Sequence, residues 1–305
     1  MNFFVTGVNG QLGHDVMLEL RRRGHTGIGS GRSSACAGIT GMPYRQLDIT
    51  RADAVMDALQ EPAPDAVIHC AAWTAVDAAE EEDKRSLVMA VNAVGTENIA
   101  RACKTLGCKM VYISTDYVFN GMGTLPWEAD CRDFSPLNVY GESKLAGEQA
   151  VSTLLSHFFI VRIAWAFGKN GNNFVKTMLS AGKKSPQLRV VNDQIGTPTY
   201  TSDLARLLVD MAETEKYGYY HATNEGGFIS WYDFACEIFR QAGYNVKVIP
   251  VTTEEYGLSR ALRPANSRLD KSKLAANGFT SLPLWQDALA RYLEELGVTK
   301  KNRNR

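Results

Sequence analysis

Tyr140 and Lys144, in the run Tyr140-Gly141-Glu142-Ser143-Lys144, stand four residues apart. On a helix that interval puts a phenol and an ammonium on one face. The cation can then lower the phenol's pKa and fit it to give or take a proton near neutral pH. The interval alone is weak evidence, because any long helix can carry a packing tyrosine beside a solvated lysine. Its weight depends on two other runs, Gly7-Val8-Asn9-Gly10-Gln11-Leu12-Gly13 and Ser114-Thr115-Asp116-Tyr117.

The glycine run follows the apolar, β-rich segment Asn2 to Thr6 and opens onto a helical pattern through Val16, Met17 and Leu20. Strand, glycine turn and helix in that order suit a dinucleotide. Gly7, Gly10 and Gly13 permit a tight turn and close backbone approach, while the helix start at Gln11 and Leu12 offers amide donors to a pyrophosphate. A second strand is expected around His25 to Ser30. Where NAD-preferring sites carry an acidic residue after that strand, this chain has Arg32 with Ser33 beside it, which suits a 2′-phosphate. NADPH is therefore the expected cofactor, with NADH left open. Asp48, in a short strand expected from Tyr44 to Ile49, lies where a loop can approach an adenine, and Ala71-Ala72 end the strand from Asp65 with side chains small enough for a cofactor to lie against. His69, inside that strand, reads as a core histidine rather than a metal ligand.

The elements that position these groups alternate between strand and helix. Thr50 is expected to cap a helix from Ala52 to Leu59, and a helix-compatible stretch runs from Leu87 to Leu106. A strand from Lys109 carries Thr115 at its carboxyl end, where an open α/β sheet places its chemistry. A helix beginning near Val139 holds Tyr140 and Lys144, and a strand from His157 to Ile163 follows. This rhythm predicts an α/β fold, a Rossmann-like doubly wound parallel sheet with a smaller C-terminal substrate lobe. The expected nucleotide-binding domain is 1–164, rejoined by about 200–225, and the lobe comprises 165–199 and 226–305, opening at Trp165.

Composition narrows the function further. The 305 residues include 33 basic and 33 acidic side chains, a balance that disfavours nucleic acid or a charged membrane surface as partner. The acidic run Glu80 to Asp83 reads as a solvated helix start or loop, and the basic end, Lys300 to Arg305, as a frayed tail. Six cysteines are scattered without a close pair, which points to reduced thiols and neither a zinc cage nor a disulfide framework. No apolar run is long enough to cross a bilayer, and the chain leads straight into a strand pattern, so a cytoplasmic location is expected.

As a set, the glycine turn, Asn92, Thr115 and the Tyr140/Lys144 pair resemble the extended short-chain dehydrogenase/reductase superfamily. Within it, Ser114-Thr115-Asp116-Tyr117-Val118-Phe119, Ala71-Ala72-Trp73-Thr74-Ala75-Val76-Asp77 and Val191-Asn192-Asp193-Gln194-Ile195-Gly196-Thr197-Pro198-Thr199 are similar to the dTDP-4-dehydrorhamnose reductases. The likeness covers nearly the whole chain. It implies an NADPH-dependent reduction of the C4 ketone of dTDP-4-dehydro-6-deoxy-L-mannose, the last step of dTDP-L-rhamnose synthesis for cell-surface polysaccharide. In that reading Tyr140 protonates the C4 oxygen, Thr115 hydrogen-bonds it, and Lys144 holds the nicotinamide ribose. Thr74, Val76, Asp116, Tyr117 and Trp165 touch the sugar, and Asn92 is a structural or proton-relay residue.

Members that form metal-bridged dimers use a carboxylate in the first helix. This chain has the shorter Asp15 there and Asn192-Asp193 in a later loop, so no metal is expected and the assembly stays open between monomer and homodimer. The same residues fit another nucleotide-sugar reductase or an epimerase of the superfamily. Dehydratases carry an acidic residue directly after the Thr-Asp pair, where this chain has Tyr117. A non-catalytic reading also exists, since the regulatory subunit of methionine adenosyltransferase keeps a similar fold and Tyr/Lys pair.

Overall fold

The computed structural model describes residues 1–36 and 41–298; the basic end from Lys300 lies outside them. Its first half alternates as the sequence pattern does. The elements are β1 (Asn2–Thr6), α1 (Gln11–Arg22), β2 (Thr26–Gly31), β3 (Tyr44–Gln46), α2 (Ala52–Gln60), β4 (Ala66–His69), α3 (Val76–Ala79), α4 (Arg85–Met89), α5 (Gly95–Leu106), β5 (Lys109–Thr115), α6 (Val139–Leu154) and β6 (Phe158–Ile163). Then follow β7 (Ala166–Phe167), α7 (Phe174–Lys184), β8 (Gln187–Val191), β9 (Ile195–Gly196), β10 (Thr199–Tyr200), α8 (Thr201–Ala212), β11 (Gly218–His221), β12 (Ile229–Ser230), α9 (Trp231–Ala242), β13 (Lys247–Val251), α10 (Thr253–Tyr256), α11 (Ser272–Ala276) and α12 (Trp285–Glu295).

Seven strands form one parallel sheet in the order β11-β6-β5-β4-β1-β2-β3. Both faces of such a sheet are covered, so its strands are apolar on both sides rather than alternating. Phe3 and Val5 with Ile68, Val111 and Phe159 pack on one side against α1 and α8, through residues such as Leu20, Leu204 and Leu208. Phe4, Val67, Met110 and Ile160 pack on the other against α2 and α5, through Val55, Leu59, Ile99 and Cys103. Phe167, Val175, Phe234, Trp285, Leu289 and Tyr292 form a separate core among α7, α9 and α12. Three two-stranded pairs, β7 with β10, β9 with β12 and β8 with β13, lie in the same part of the chain.

Three local expectations change. Arg51, not Thr50, is the N-cap residue of α2, and no side chain caps it. The Thr50 hydroxyl and N–H instead donate to Asp48 Oδ1, at 2.8 and 3.0 Å, because an aspartate two residues upstream accepts both in an Asx turn. The stretch from Leu87 to Leu106 is not regular: a π-helical turn, Ala90–Val94, sits between α4 and α5 and displaces Asn92 toward α6. The strand from Tyr44 is only three residues long, because Leu47 N–H bonds back to Gly31 as the chain turns toward the sheet's carboxyl edge.

Beneath α6 lies a fully buried ion pair. Arg162 on β6 donates to both oxygens of Glu148, at 2.8 and 2.7 Å, and to Ala129 O at 3.1 Å. Neither side chain meets solvent. Removing one partner of such a pair strands a charge, at a cost of about 3–5 kcal/mol, so the contact fixes α6 on the sheet.

Candidate active site

The carboxyl ends of the strands open into one cleft of about 740 Å³, between the sheet and the segment that begins at Trp165. The glycine turn forms its floor. Gly7 has a φ of 72° and packs so closely on β4's end that a Cβ there would lie 2.6 Å from Ala71 N. A Cβ on Gly13 would lie 2.5 Å from Gly7 O. Only glycine lets the turn, the strand end and α1 meet this tightly. The N-cap of α1 is Gly10, and no side chain caps the helix, so its first turn faces the cleft with the positive end of the dipole.

Gln11 and Leu12 line the same wall, and Gln11 Oε1 accepts from Asn173 Nδ2 at 2.9 Å, tying the turn to the start of α7. Arg32 and Ser33 stand at the far rim with Asp48 and Ile49 beside them; Arg32 is exposed and lies close enough to lower the Asp48 carboxyl, after the larger effect of the Thr50 hydrogen bonds. This wall fits an NADP-type dinucleotide: small residues where the backbone must approach, an uncapped helix start for the pyrophosphate, and a cation without a competing acid in the β2 turn. Ala71 and Ala72 continue it toward the reactive end.

At that end β5 delivers Thr115 into a 3₁₀ turn. Its hydroxyl accepts from Tyr117 N–H at 3.2 Å and donates to Asp116 Oδ1 at 3.0 Å. The Thr115 and Tyr140 side chains line this end of the cleft together, close enough that Thr115 favours the phenolate. Asp116 is buried, and its Oδ2 has no hydrogen-bond partner. Burial raises this carboxyl to about 6, against the smaller opposing effects of the Ser267 and Thr115 hydroxyls. Tyr117 meets Tyr140 edge-on, ring centroids 5.7 Å apart. Thr74, Val76 and Trp165 line the remaining wall, and Thr74 is exposed at the mouth.

The start of α6 is held from three sides. Asn138 caps it by accepting from Gly141 N–H at 2.8 Å. Glu80, in the acidic run, accepts from Val139 N–H at 2.8 Å. Asn92 donates to Ser143 Oγ at 2.9 Å and accepts from Trp73 N–H at 2.7 Å. Asn92 does not line the cleft; its amide is spent bracing Trp73 against α6, and the π turn is what brings it there. Asp77, next to Val76, pairs with Arg263 at 2.6 Å and accepts from the Arg260 and Ala261 N–H groups.

Electrostatics depart from the spacing argument. Lys144 Nζ donates to Ile113 O at 2.6 Å and sits 4.2 Å over the Tyr112 ring. Burial pushes this ammonium down to about 7, against the Glu148 carboxylate and Cys70, which favour its charge. Burial likewise pushes the Tyr140 phenol up, the Thr115 hydrogen bond opposing and the Asp116 charge adding. The cation expected to lower the phenol is directed at β5 instead. His69 is neutral, lowered to about 3 by burial and then by Lys144, and bonds Thr6 and Thr96 at 2.7 and 3.1 Å. Cys70 lines the cleft, but burial raises its thiol to about 12, which makes it a packing group.

Every site residue named from the sequence except Asn92 lines this cleft. Sequence reasoning missed Trp73, Asn172 and Trp231, which also line it. The Trp73-Thr74 pair could have been read as one strip after Ala71-Ala72, whereas Trp231 arrives from a distant helix and had no local signal. Among the described residues, no group of His, Cys, Asp and Glu could hold a metal ion.

A parallel sheet in this strand order, with its glycine turn and Thr115, Tyr140 and Lys144 at the strand ends, defines an oxidoreductase of the short-chain dehydrogenase/reductase class. The model of the RmlD substrate binding domain matches residues 1–298. A dTDP-4-dehydrorhamnose reductase of Streptomyces griseus is 40% identical over 293 residues, 94% of this chain and 91% of that protein. The spore coat polysaccharide biosynthesis protein SpsK of Bacillus subtilis is 36% identical over 292 residues, 95% of this chain and 96% of that one. A crystal structure of the dTDP-4-dehydrorhamnose reductase of Bacillus anthracis in complex with NADP superposes with a TM-score of 0.86 at 41% identity, over 97% of this chain and all of that one. The chain belongs to the dTDP-4-dehydrorhamnose reductase family.

Proposed function

We propose that the protein uses NADPH to reduce the C4 ketone of dTDP-4-dehydro-6-deoxy-L-mannose, giving dTDP-L-rhamnose. The observation that carries this reading is that Thr115, Tyr140 and Lys144 line one end of a cleft whose other wall suits a dinucleotide. Bound NADPH supplies the hydride to C4. Tyr140 gives its phenolic proton to the C4 oxygen, and Thr115 holds that oxygen in line with the phenol. A phenol with a raised pKa is a reluctant acid, so its proton moves only as the carbonyl oxygen becomes a basic alkoxide. Lys144, seated against Ile113, would hold the nicotinamide ribose by donating to its hydroxyls. Asp116, with one carboxylate oxygen unpartnered, takes a sugar hydroxyl, while Thr74, Val76, Tyr117 and Trp165 enclose the ring.

In the same reading the division into 1–164 plus about 200–225, and 165–199 plus 226–305, separates cofactor from sugar recognition. Parallel pairing of β11 with β6 supports it. Asp15 is buried and accepts from Thr201 Oγ1 at 2.5 Å, which takes this carboxylate away from a metal bridge and favours a metal-free monomer or homodimer. No described helix is long and apolar enough to cross a membrane, and a cytoplasmic site of action fits both substrates. Spectrophotometric NADPH oxidation tests the proposal. Consumption that needs the dTDP-4-dehydro sugar supports it, and intact NADPH binding without sugar-dependent consumption sinks it.

A further inference from the structure

The indoles of Trp165 and Trp231 are stacked, with centroids 3.8 Å apart and planes 18° from parallel, and both line the cleft. Trp165 leaves β6 with a φ of 51°, in the left-handed region. A non-glycine residue there is strained, and the contacts around it must hold it in place. Its ring abuts Gly196, where a Cβ would lie 3.0 Å from Cε2. It also stacks on Trp231, whose ring centroid lies 4.6 Å from that of Phe174. The two supports are registered to each other: Ile229 and Ser230 pair antiparallel with Gly196 and Ile195, and the Ser230–Asp233 capping box then sets Trp231 as the first residue of α9. The plane of Trp165 is therefore set by a residue more than sixty positions away.

We infer that Trp231 determines sugar recognition by positioning Trp165, and that the stacked pair forms the apolar wall against which the C–H face and deoxy end of the hexose lie. The inference rests on the proposed sugar-nucleotide chemistry. Aromatic planes bind the apolar faces of sugars through dispersion and desolvation, and an aromatic partner that fixes such a plane removes the cost of ordering it on binding.

The experiment compares wild type, Trp231→Ala, Trp231→Phe and Gly196→Ala in steady-state kinetics with dTDP-4-dehydro-6-deoxy-L-mannose. Calorimetric binding of dTDP-L-rhamnose and of NADPH is measured alongside. Trp231→Ala should raise KM and the dTDP-L-rhamnose Kd about threefold to tenfold, leave NADPH affinity unchanged, and change kcat less than KM. Trp231→Phe should recover most of the loss. Gly196→Ala, which pushes Trp165 without touching Trp231, should reproduce it. Wild-type sugar affinity in Trp231→Ala overturns the inference, and so do equal losses for sugar and NADPH. Wild type that binds dTDP-L-rhamnose but does not oxidise NADPH refutes the proposed reaction instead, and the binding arm still decides the role of Trp231.

Discussion

Lys144 and Tyr140 share one face of α6, yet they serve different partners. The ammonium is seated on Ile113 O at 2.6 Å and against the Tyr112 ring, while the phenol ring meets Tyr117 edge-on and lines the cleft with Thr115. A solvated lysine would not be 3% exposed, and Tyr140 faces a cofactor-sized cleft. The arrangement separates two tasks that the i, i+4 spacing merges, proton donation by Tyr140 and cofactor anchoring by Lys144.

Tyr140→Phe isolates the first task. The ring still packs edge-on with Tyr117, so NADPH affinity should stay within about twofold, whereas loss of a general acid lowers kcat by roughly 10²–10⁴. Stopped-flow and steady-state rates on the same preparation check it, and a wild-type kcat would show that another group protonates the ketone.

Lys144 predicts a pH effect on the cofactor. Its pKa in the folded protein, about 7, lies below the ordinary 10.5, with burial the main cause. The folded chain therefore holds fewer protons than the unfolded chain between those values, and this residue makes stability rise with pH across that window. Binding a ribose that accepts from the ammonium requires the proton back. NADPH affinity should fall as pH rises above about 7, with a slope approaching tenfold per unit. Fluorescence titration from about pH 6 to about pH 9 measures it. Lys144→Met should bind weakly with a flat profile, and a flat wild-type profile would remove Lys144 from the cofactor site.

Arg32 tests coenzyme choice. Charge-assisted hydrogen bonds to a phosphate are worth about 1.5–3 kcal/mol, so Arg32→Ala should weaken NADPH roughly 10- to 100-fold and change NADH little. Equal losses for both coenzymes would assign the 2′-phosphate to another group.

Much of this site was legible in the sequence because its parts are local. A glycine turn after a strand, a Thr at a strand end and a Tyr/Lys pair near a helix start are each set by neighbours in the chain, and the sheet that assembles them follows from their alternation. What was not legible depends on distance. Trp231 reaches the cleft through the β9–β12 pairing, Asp77 is held by Arg263, and Asn92 is turned toward α6 by a π bulge that no periodicity announces. The direction of the Lys144 side chain failed for a different reason: spacing fixes the helix face, but the buried carbonyl at Ile113 and the Tyr112 ring decide where the ammonium goes.

Asp116 predicts a conflict between stability and activity. Its carboxyl has one oxygen without a partner and a pKa raised from 3.8 to about 6, chiefly by burial. An acid whose folded pKa lies above its unfolded value holds its proton longer in the folded chain. Its burial therefore costs nothing below about pH 3.8, and the cost grows to its full value above about pH 6. That full cost is on the order of 1–3 kcal/mol. Asp116→Asn keeps the shape and removes the charge, so thermal unfolding of the variant should occur at higher temperature than wild type near pH 8 and show no gain near pH 4. The same change removes the carboxylate offered to the sugar, and KM for the sugar nucleotide should rise about tenfold, the size expected for losing one hydrogen bond to a charged group. Calorimetric scans at the two pH values, read beside steady-state kinetics, check both halves. A variant no more stable than wild type at pH 8 would mean that the folded protein does not raise the pKa of this carboxyl, and an unchanged KM would place the sugar away from Asp116.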